Sequence, residues 1–152
     1  MTETIVREAR RSDLNALLDL YLELAEDRSG AAPADEATSA AVFDVILEDS
    51  SRSFAVADVD GKVVGTIDLV IVPNLTHSAR PWAVVENVVV ALESRRRGVA
   101  THLMRYAIDA AQTAGCYKVQ LHSGKQRAAE AHEFYRSVGF AAVAEGFKLY
   151  IG

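Results

Sequence analysis

The chain has 152 residues, enough for one domain with a substantial hydrophobic core. Hydrophobic residues make up 50% of it and charged residues 24%, which is an ordinary globular composition. The formal net charge of −5 at pH 7 argues against nucleic acid or an anionic membrane surface as the main partner.

A single cysteine, Cys116, excludes an internal disulfide and is typical of a reducing compartment. No apolar run approaches the roughly 18 residues that a membrane span needs. The first residues, 1–4, are polar and acidic, so no secretory leader is expected there. We therefore expect a soluble, cytoplasmic protein.

Strand and helix signals alternate along the chain. Apolar runs predict strands at 5–9, 54–57, 62–72, 83–92, 117–121, 140–143 and 147–151. Helical spacing predicts one helix from Ser12 or Asp13 to about Ala25, and others at 35–48, 98–114 and 127–138. The pair Asp60–Gly61 indicates a tight hairpin, and Gly139 indicates a left-handed helix end.

This order of elements predicts an α/β (α+β) fold in a single domain over residues 1–152. The sheet is expected to be mixed and mainly antiparallel, with about seven strands and helices on both faces. The strand-helix-strand unit around 98–114 makes its two flanking strands parallel. In the second helix, Ala41, Val45 and Ile46 are expected to face the core.

Three consecutive arginines, Arg95 to Arg97, stand between an apolar strand and an amphipathic helix. Cations oppose the helix dipole at this end, and the unpaired backbone N–H groups there favour a bound anion. Gly98 and Ala100 leave room for oxygen atoms to approach the main chain. The segment therefore predicts a phosphate or diphosphate site; the alternative is a solvated surface cluster of arginines.

The order strand, R-x-x-G-x-A, helix resembles the acetyl-CoA loop of the GNAT superfamily of N-acetyltransferases. Arg95, Gly98 and Ala100 fill that pattern, and A-x-x-F-Y-x-x-x-G-F at 131–140 matches its downstream part. The run 73–90 looks like one small-molecule branch of the superfamily. The helix that ends near Tyr135 is loosely similar to aminoalkylphosphonate acetyltransferases.

The resemblance implies acetyl-CoA as co-substrate and a sheet whose central parallel strands splay apart beside it. The main chain of three valines would pair with the pantetheine amides, and the arginine loop would hold the diphosphate. The implied binding residues are Val88, Val89, Val90, Arg95, Arg96, Arg97, Gly98, Val99, Ala100 and Thr101. Lys125 and Arg127 are further candidates for the nucleotide phosphates, or else solvated surface charge.

Glu86 is the candidate general base, because an isolated carboxylate in an apolar strand points to a specific role. Strict alternation places it on one face with Val88 and Val90, unless a bulge shifts the register. The family motif implies that Tyr135 is the acid that protonates the departing thiolate. The alternatives are a structural carboxylate for Glu86 and a core position for Tyr135.

Four further residues are candidates for acceptor binding. His77, Arg80 and Trp82 lie in or beside the loop before the strand of Glu86, and His122 ends a later strand. Packing is the alternative role for Trp82, and a structural hydrogen bond is the alternative for His122. The scattered histidines show no metal-ligand spacing, so no metal site is predicted.

The sequence as a whole predicts an acetyl-CoA-dependent N-acetyltransferase that acts by direct transfer on the primary amine of a small molecule. A protein or peptide acceptor stays open, as does an acyl-CoA-binding module or sensor that performs no transfer. A nucleotide hydrolase is disfavoured because the pattern G-x-x-x-x-G-K-[ST] is missing. Because dimers are common in the superfamily that the chain resembles, a homodimer is also expected.

Overall fold

The computed structural model describes residues 2–27, 32–125 and 128–152. The chain divides into two compact units, residues 1–120 and residues 121–152. Within the described residues, no helix is long and apolar enough to cross a membrane.

The first unit is built on a sheet of five strands in the order β1-β2-β3-β4-β5. The strands are β1 (Thr4–Glu8), β2 (Arg52–Val59), β3 (Lys62–Val72), β4 (Trp82–Val90) and β5 (Val119–Gln120). Neighbours are antiparallel except β4 and β5, which are parallel. The mixed, mainly antiparallel sheet with one parallel pair is thus confirmed.

Four helices accompany the sheet of the first unit. They are α1 (Leu14–Asp27), α2 (Glu36–Glu48), the single turn α3 (Thr76–Ala79) and α4 (Val99–Thr113). The Asp60–Gly61 turn joins β2 to β3 with φ angles of 53° and 83°, as its sequence predicts for a tight hairpin.

Helices cover both faces of the sheet, because residues 54–57 and 64–69 of its two central strands are all buried. On one face Phe54 meets Phe43 of α2 edge-on at 5.7 Å and shares a core with Leu17 of α1. On the other face Gly65 lies so close to α4 that an added Cβ would be 3.1 Å from Leu103 Cδ1. The prediction of helices on both faces is confirmed.

The strand β4 carries a bulge near its middle. Asp68 pairs with Glu86, but Thr66 pairs with Val89, so β4 has one residue more than β3 over this interval. Asn87 takes a left-handed conformation with φ of 52°, which asparagine tolerates better than most side chains. The bulge therefore changes which residues of β4 share a face.

The second helix faces the core with other residues than its sequence spacing indicates. Phe43 is buried and Ala40 and Ile46 pack beside it, while Val45 is 68% exposed and Ala41 is exposed. The prediction is correct for Ile46 and wrong for Ala41 and Val45. The bulky ring of Phe43 sets the helix rotation because it packs against Phe54.

The second unit contains helix α5 (Ala128–Ser137), which ends at Gly139 with φ of 104°. Residues 140–152 form no regular secondary structure, so the prediction of seven strands is not confirmed. Of the apolar side chains in those two expected strands, Val143, Phe147, Leu149, Tyr150 and Ile151 are about nine-tenths exposed. Without a packed face, two short strands have too little stabilisation to pair.

A part-buried ion pair links β1 to the turn that precedes α1. Arg7 donates to both carboxylate oxygens of Asp13, at 2.8 Å and 3.0 Å, and the Arg10 N–H donates to the same carboxylate at 2.8 Å. The hydrogen bonds from Arg7 lower the pKa of Asp13 below its usual value. The charged form of Asp13 therefore stabilises the fold.

We expect Asp13→Asn to lower the free energy of unfolding by about 2–4 kcal/mol near neutral pH. Because the pKa is lower in the folded chain than in the unfolded chain, the stabilisation is complete above about pH 5 and is lost as pH falls through the folded value. Urea denaturation at several pH values measures both effects. The exposed pair Arg11–Asp44 supplies the control, and Asp44→Asn should cost less than about 1 kcal/mol. Equal losses for the two variants would contradict the assignment.

Candidate functional site

The loop before α4 leads into main-chain donors at the start of the helix. The first hydrogen bond of the helix runs from His102 N–H to Gly98 O at 3.1 Å, so the N–H groups of Val99, Ala100 and Thr101 lie ahead of it. Gly98 caps the helix with φ of 80°, and Arg96 also has a left-handed backbone with φ of 63°. These turns bring successive N–H groups to one end of a helix of 15 residues.

Space and charge at this end fit a diphosphate. Arg95, Arg96, Arg97 and Gly98 are exposed, and a Cβ added to Gly98 would meet nothing within 4 Å. The positive end of the helix dipole and three guanidinium groups favour an anion here. The Arg95 Nε donates to Val90 O at 3.1 Å, which ties the loop to the end of β4.

The edge of β4 next to this loop extends beyond β5. Within the described residues, β5 pairs with Ala83 and Val84 and reaches no further along β4. Ala91 N–H donates to Val64 O at 2.8 Å, so alternation turns the main chain of Val89 toward β3 and that of Val90 toward the open edge. The side chain of Val89 is buried with Leu20 of α1.

Glu86 lies at the bulge and is exposed. The bulge is the exception to strict alternation that the sequence left open: its extra residue places Glu86 on the face of Val89 and not on that of Val88 and Val90. Its direct partner across the sheet is Asp68. An exposed carboxylate beside an open strand edge can accept a proton from an amine directly or through water.

A buried polar cluster next to Glu86 was not predicted from the sequence. Asp68 is 2% exposed, and Arg52 donates its Nε to Asp68 Oδ1 at 3.2 Å and its Nη2 to Oδ2. The Tyr21 hydroxyl is hydrogen-bonded to Thr66, and burial together with the charge of Asp68 raises the pKa of Tyr21. The available signal was Asp68 itself, a lone carboxylate in the apolar strand 62–72.

The loop between β3 and β4 brings together three of the four predicted acceptor residues. His77 stacks on Tyr117 with ring centroids 3.8 Å apart, and Lys118 Nζ lies 5.4 Å from the centroid of Trp82. Arg80 donates to the carbonyls of Gly115 and Cys116 at 3.2 Å and 3.1 Å. The Arg80 guanidinium therefore holds the loop against the segment that follows α4.

Backbone strain marks the same loop. His77, Ser78 and Ala79 are three consecutive residues with φ between 53° and 59°, although none is glycine. A hollow of about 490 Å³ lies beside them, lined by Ile71, Pro73, Asn74, Leu75, Ala79 and Pro81. Trp82 and Glu86 are four positions apart along β4, a distance of about 13 Å.

In the second unit, Tyr135 is half-buried on α5. Its ring centroid lies 5.4 Å from that of Phe134 and 6.2 Å from that of Phe140. His122 is exposed and lies against Gly146, where an added Cβ would be 2.8 Å from His122 Cδ2. Lys125 is exposed, and Arg127 lies outside the described residues. Within the described part of the chain, no group of three or more potential metal ligands occurs.

Comparison with known proteins decides the family. The model of the acetyltransferase (GNAT) family matches residues 14–140, most of the chain. The chain belongs to the GNAT acetyltransferase family. The matched range includes Glu86, the arginine loop and Tyr135.

Three similar proteins carry different names. A glucosamine 6-phosphate N-acetyltransferase of Trypanosoma brucei brucei is 33% identical over 54% of this chain and 53% of its own length, so this chain spans about half of that relative. A solved structure from Agrobacterium tumefaciens, named as an acetyltransferase, is 39% identical with a TM-score of 0.88 over 97% of this chain and 99% of its own. A solved structure named as a transcriptional regulator of Bacillus halodurans is 28% identical with a TM-score of 0.87. The match covers 98% of this chain and 100% of that one.

Proposed function

We propose that this GNAT acetyltransferase transfers an acetyl group from acetyl-CoA to the primary amine of a small molecule, by direct attack in a ternary complex. One observation carries the proposal: the start of α4 brings together the N–H groups that precede its first helical hydrogen bond, an open glycine and three arginines. This combination suits a ligand with a diphosphate better than it suits an amine or a polyanion.

Acetyl-CoA supplies the activated thioester, and this chain supplies the groups that hold and orient it. Residues 95–101 bind the diphosphate through their N–H groups and arginine side chains. The open edge of β4 from Val88 to Val90 accepts the pantetheine amides as a strand would. Because alternation turns Val89 toward β3, the main chain of Val88 and Val90 carries this contact.

Glu86 and Tyr135 move the protons of the reaction. An aliphatic amine has a pKa near 10 in water, so its reactive neutral form is scarce at neutral pH. Glu86 accepts the proton that the amine must lose, directly or through one water molecule. Tyr135 donates its phenolic proton to the departing sulfur.

Charge and similarity to known proteins both favour a small amine as the acceptor. The exposed carboxylate of Glu86, in a chain of net charge −5, attracts a cationic amine. The curated relative with 33% identity is named for an amino sugar, which is a small amine. A small-molecule acceptor is therefore preferred over a protein.

An acyl-CoA-binding module without transfer is the second candidate. The similarity to a protein named as a transcriptional regulator, over the full length of both chains, favours it. Such a module keeps the diphosphate loop and needs no proton acceptor at Glu86.

The test combines calorimetry with CoA and a screen for thiol release from acetyl-CoA. The full chain is offered polyamines, aminoglycosides, amino sugars, amino acids, aminophosphonates and peptides. We expect CoA to bind and a small amine to accelerate thiol release. Binding without release across the panel would support the module, and release with peptides alone would refute a small-molecule acceptor. Absence of CoA binding at millimolar ligand would overturn the proposal altogether.

A further inference from the structure

An ion pair lies next to the proposed base on the same face of the sheet. Asp68 is almost fully buried, and Arg52, whose side chain is 27% exposed, binds both of its carboxylate oxygens. Such a side-on contact holds the two groups in one geometry and makes the pair neutral as a whole. The pair plays no direct part in the chemistry proposed above.

The strand register brings this pair to Glu86. Asp68 and Glu86 are direct partners across β3 and β4, and directly opposed residues have Cβ atoms about 4.5–5.5 Å apart. Two opposed carboxylates repel each other and each makes ionisation of the other less favourable. Arg52 removes most of that repulsion because it neutralises Asp68.

The neighbouring elements carry other titratable groups besides this ion pair. On α1, Tyr21 stays neutral because its pKa is raised, and Glu23 accepts from the Leu92 N–H beyond the far end of β4. The strand β5 has no titratable residue, and α4 packs on the opposite face of the sheet. Asp68 is therefore the charged residue directly opposite Glu86 in the strand register, and Arg52, which the charge of Asp49 also influences, is bound to it.

We propose that Arg52 and Asp68 are positioning residues that set how readily Glu86 takes up and releases a proton. The proposal rests on the role of Glu86 given above. In wild type, Glu86 lies beside a neutral pair; loss of either partner leaves it beside one unbalanced charge of known sign.

The two single variants have opposite effects. Arg52→Met leaves the buried Asp68 carboxylate without its cation, so Asp68 and Glu86 titrate as one coupled pair that takes up its first proton at a pH higher by about 0.5–1 unit. Asp68→Asn leaves the Arg52 cation unbalanced, so Glu86 releases its proton at a pH lower by about the same amount. In the double variant Arg52→Met/Asp68→Asn, Glu86 should titrate at nearly the same pH as in wild type. Arg52→Lys keeps the positive charge beside Asp68, so the titration of Glu86 should stay close to that of wild type.

The first measurement is an NMR titration of carbon-13-labelled glutamate carboxyl groups in the full chain without ligand, with Glu86→Gln to assign the signal. The second is the acid side of the pH profile of kcat/KM for acetyl-CoA with the amine that the panel identifies. Arg7→Met is the matched control. Like Arg52, Arg7 belongs to a part-buried ion pair, but its partner is Asp13, which does not lie opposite Glu86. The substitution should lower the melting temperature and leave the titration of Glu86 unchanged.

The outcomes separate the two proposals. Opposite shifts in both measurements support the inference, and shifts of the same sign, or none, overturn it. If the titration shifts in opposite directions but Glu86→Gln leaves the kinetics unchanged, the pair sets the charge of Glu86 and the proposed role of Glu86 in transfer fails. If Glu86→Gln removes the acid side of the profile while neither variant moves it, the role of Glu86 stands and the inference fails.

Discussion

We expect Glu86→Gln to lower kcat/KM near neutral pH by about 10²–10⁴-fold, the usual contribution of a positioned general base. Glutamine keeps the size of the side chain and removes its ability to accept a proton. The variant then depends on the small neutral fraction of the free amine. At pH values below the pKa of the amine, this fraction increases about tenfold for each unit by which the pH is raised. Its kcat/KM should therefore depend on pH more steeply than that of wild type.

The measurement is kcat/KM for the identified amine from about pH 6 to about pH 9. Affinity for CoA, measured by calorimetry, should not change, because Glu86 lies on β4 before the valine edge. Glu93→Gln is the control, since Glu93 is an exposed carboxylate just after the same strand and pairs with Lys62 at 3.2 Å. Kinetics equal to wild type over the whole pH range would remove Glu86 from this role.

We expect Gly98→Ala to weaken CoA binding by about tenfold, equivalent to about 1.4 kcal/mol. Gly98 has φ of 80°, a conformation that an alanine side chain disfavours. The free loop escapes this strain by rotating away from the left-handed region, and ligand binding must then return it. The N–H groups that face the diphosphate are misdirected in the relaxed loop.

Gly115→Ala provides a closely matched control. Gly115 has the same φ of 80°, and a Cβ added there also meets nothing within 4 Å. It lies after the other end of α4, so the variant carries the same backbone cost without touching the diphosphate loop. Calorimetry with CoA and thermal denaturation compare the two. Equal losses of CoA affinity would show that the effect is general strain, and would contradict the assignment of the loop.

Local patterns predicted much of the first unit correctly. The turn residues Asp60 and Gly61 indicated the hairpin, and the helical spacing from Leu14 and from Val99 indicated α1 and α4. These features are decided within a few residues of the chain. The arginine loop was likewise visible, because Gly98 has a conformational role that few other residues fill.

Features that depend on contacts between distant residues were missed or misread. Buried positions 83, 85 and 89 of β4 look like one uninterrupted alternation. The bulge at Asn87 instead turns Ala83 and Val85 toward α4 and Val89 toward α1. Periodicity in one strand contains no record of the register with its neighbour.

Distance along the chain also hid the ion pair. Arg52 and Asp68 are 16 residues apart, and only the hairpin between them brings the two side chains together. In α2, the apolar spacing indicated Val45 as a core residue, whereas the structure buries Phe43 instead. The contact of Phe43 with the ring of Phe54, a residue from another part of the chain, determines which face of the helix is buried.

Because of the single extra residue in β4, the number of residues in this strand determines which side chains face each side of the sheet. Removing Asn87 would let the strand run straight, and every side chain on one side of the deletion would turn over. Either the carboxylate of Glu86 would enter the apolar layer beneath α4, or Val89 would leave Leu20 for the opposite layer. Point replacements along this stretch alter one group at a time, whereas a one-codon insertion or loss would invert half of the strand.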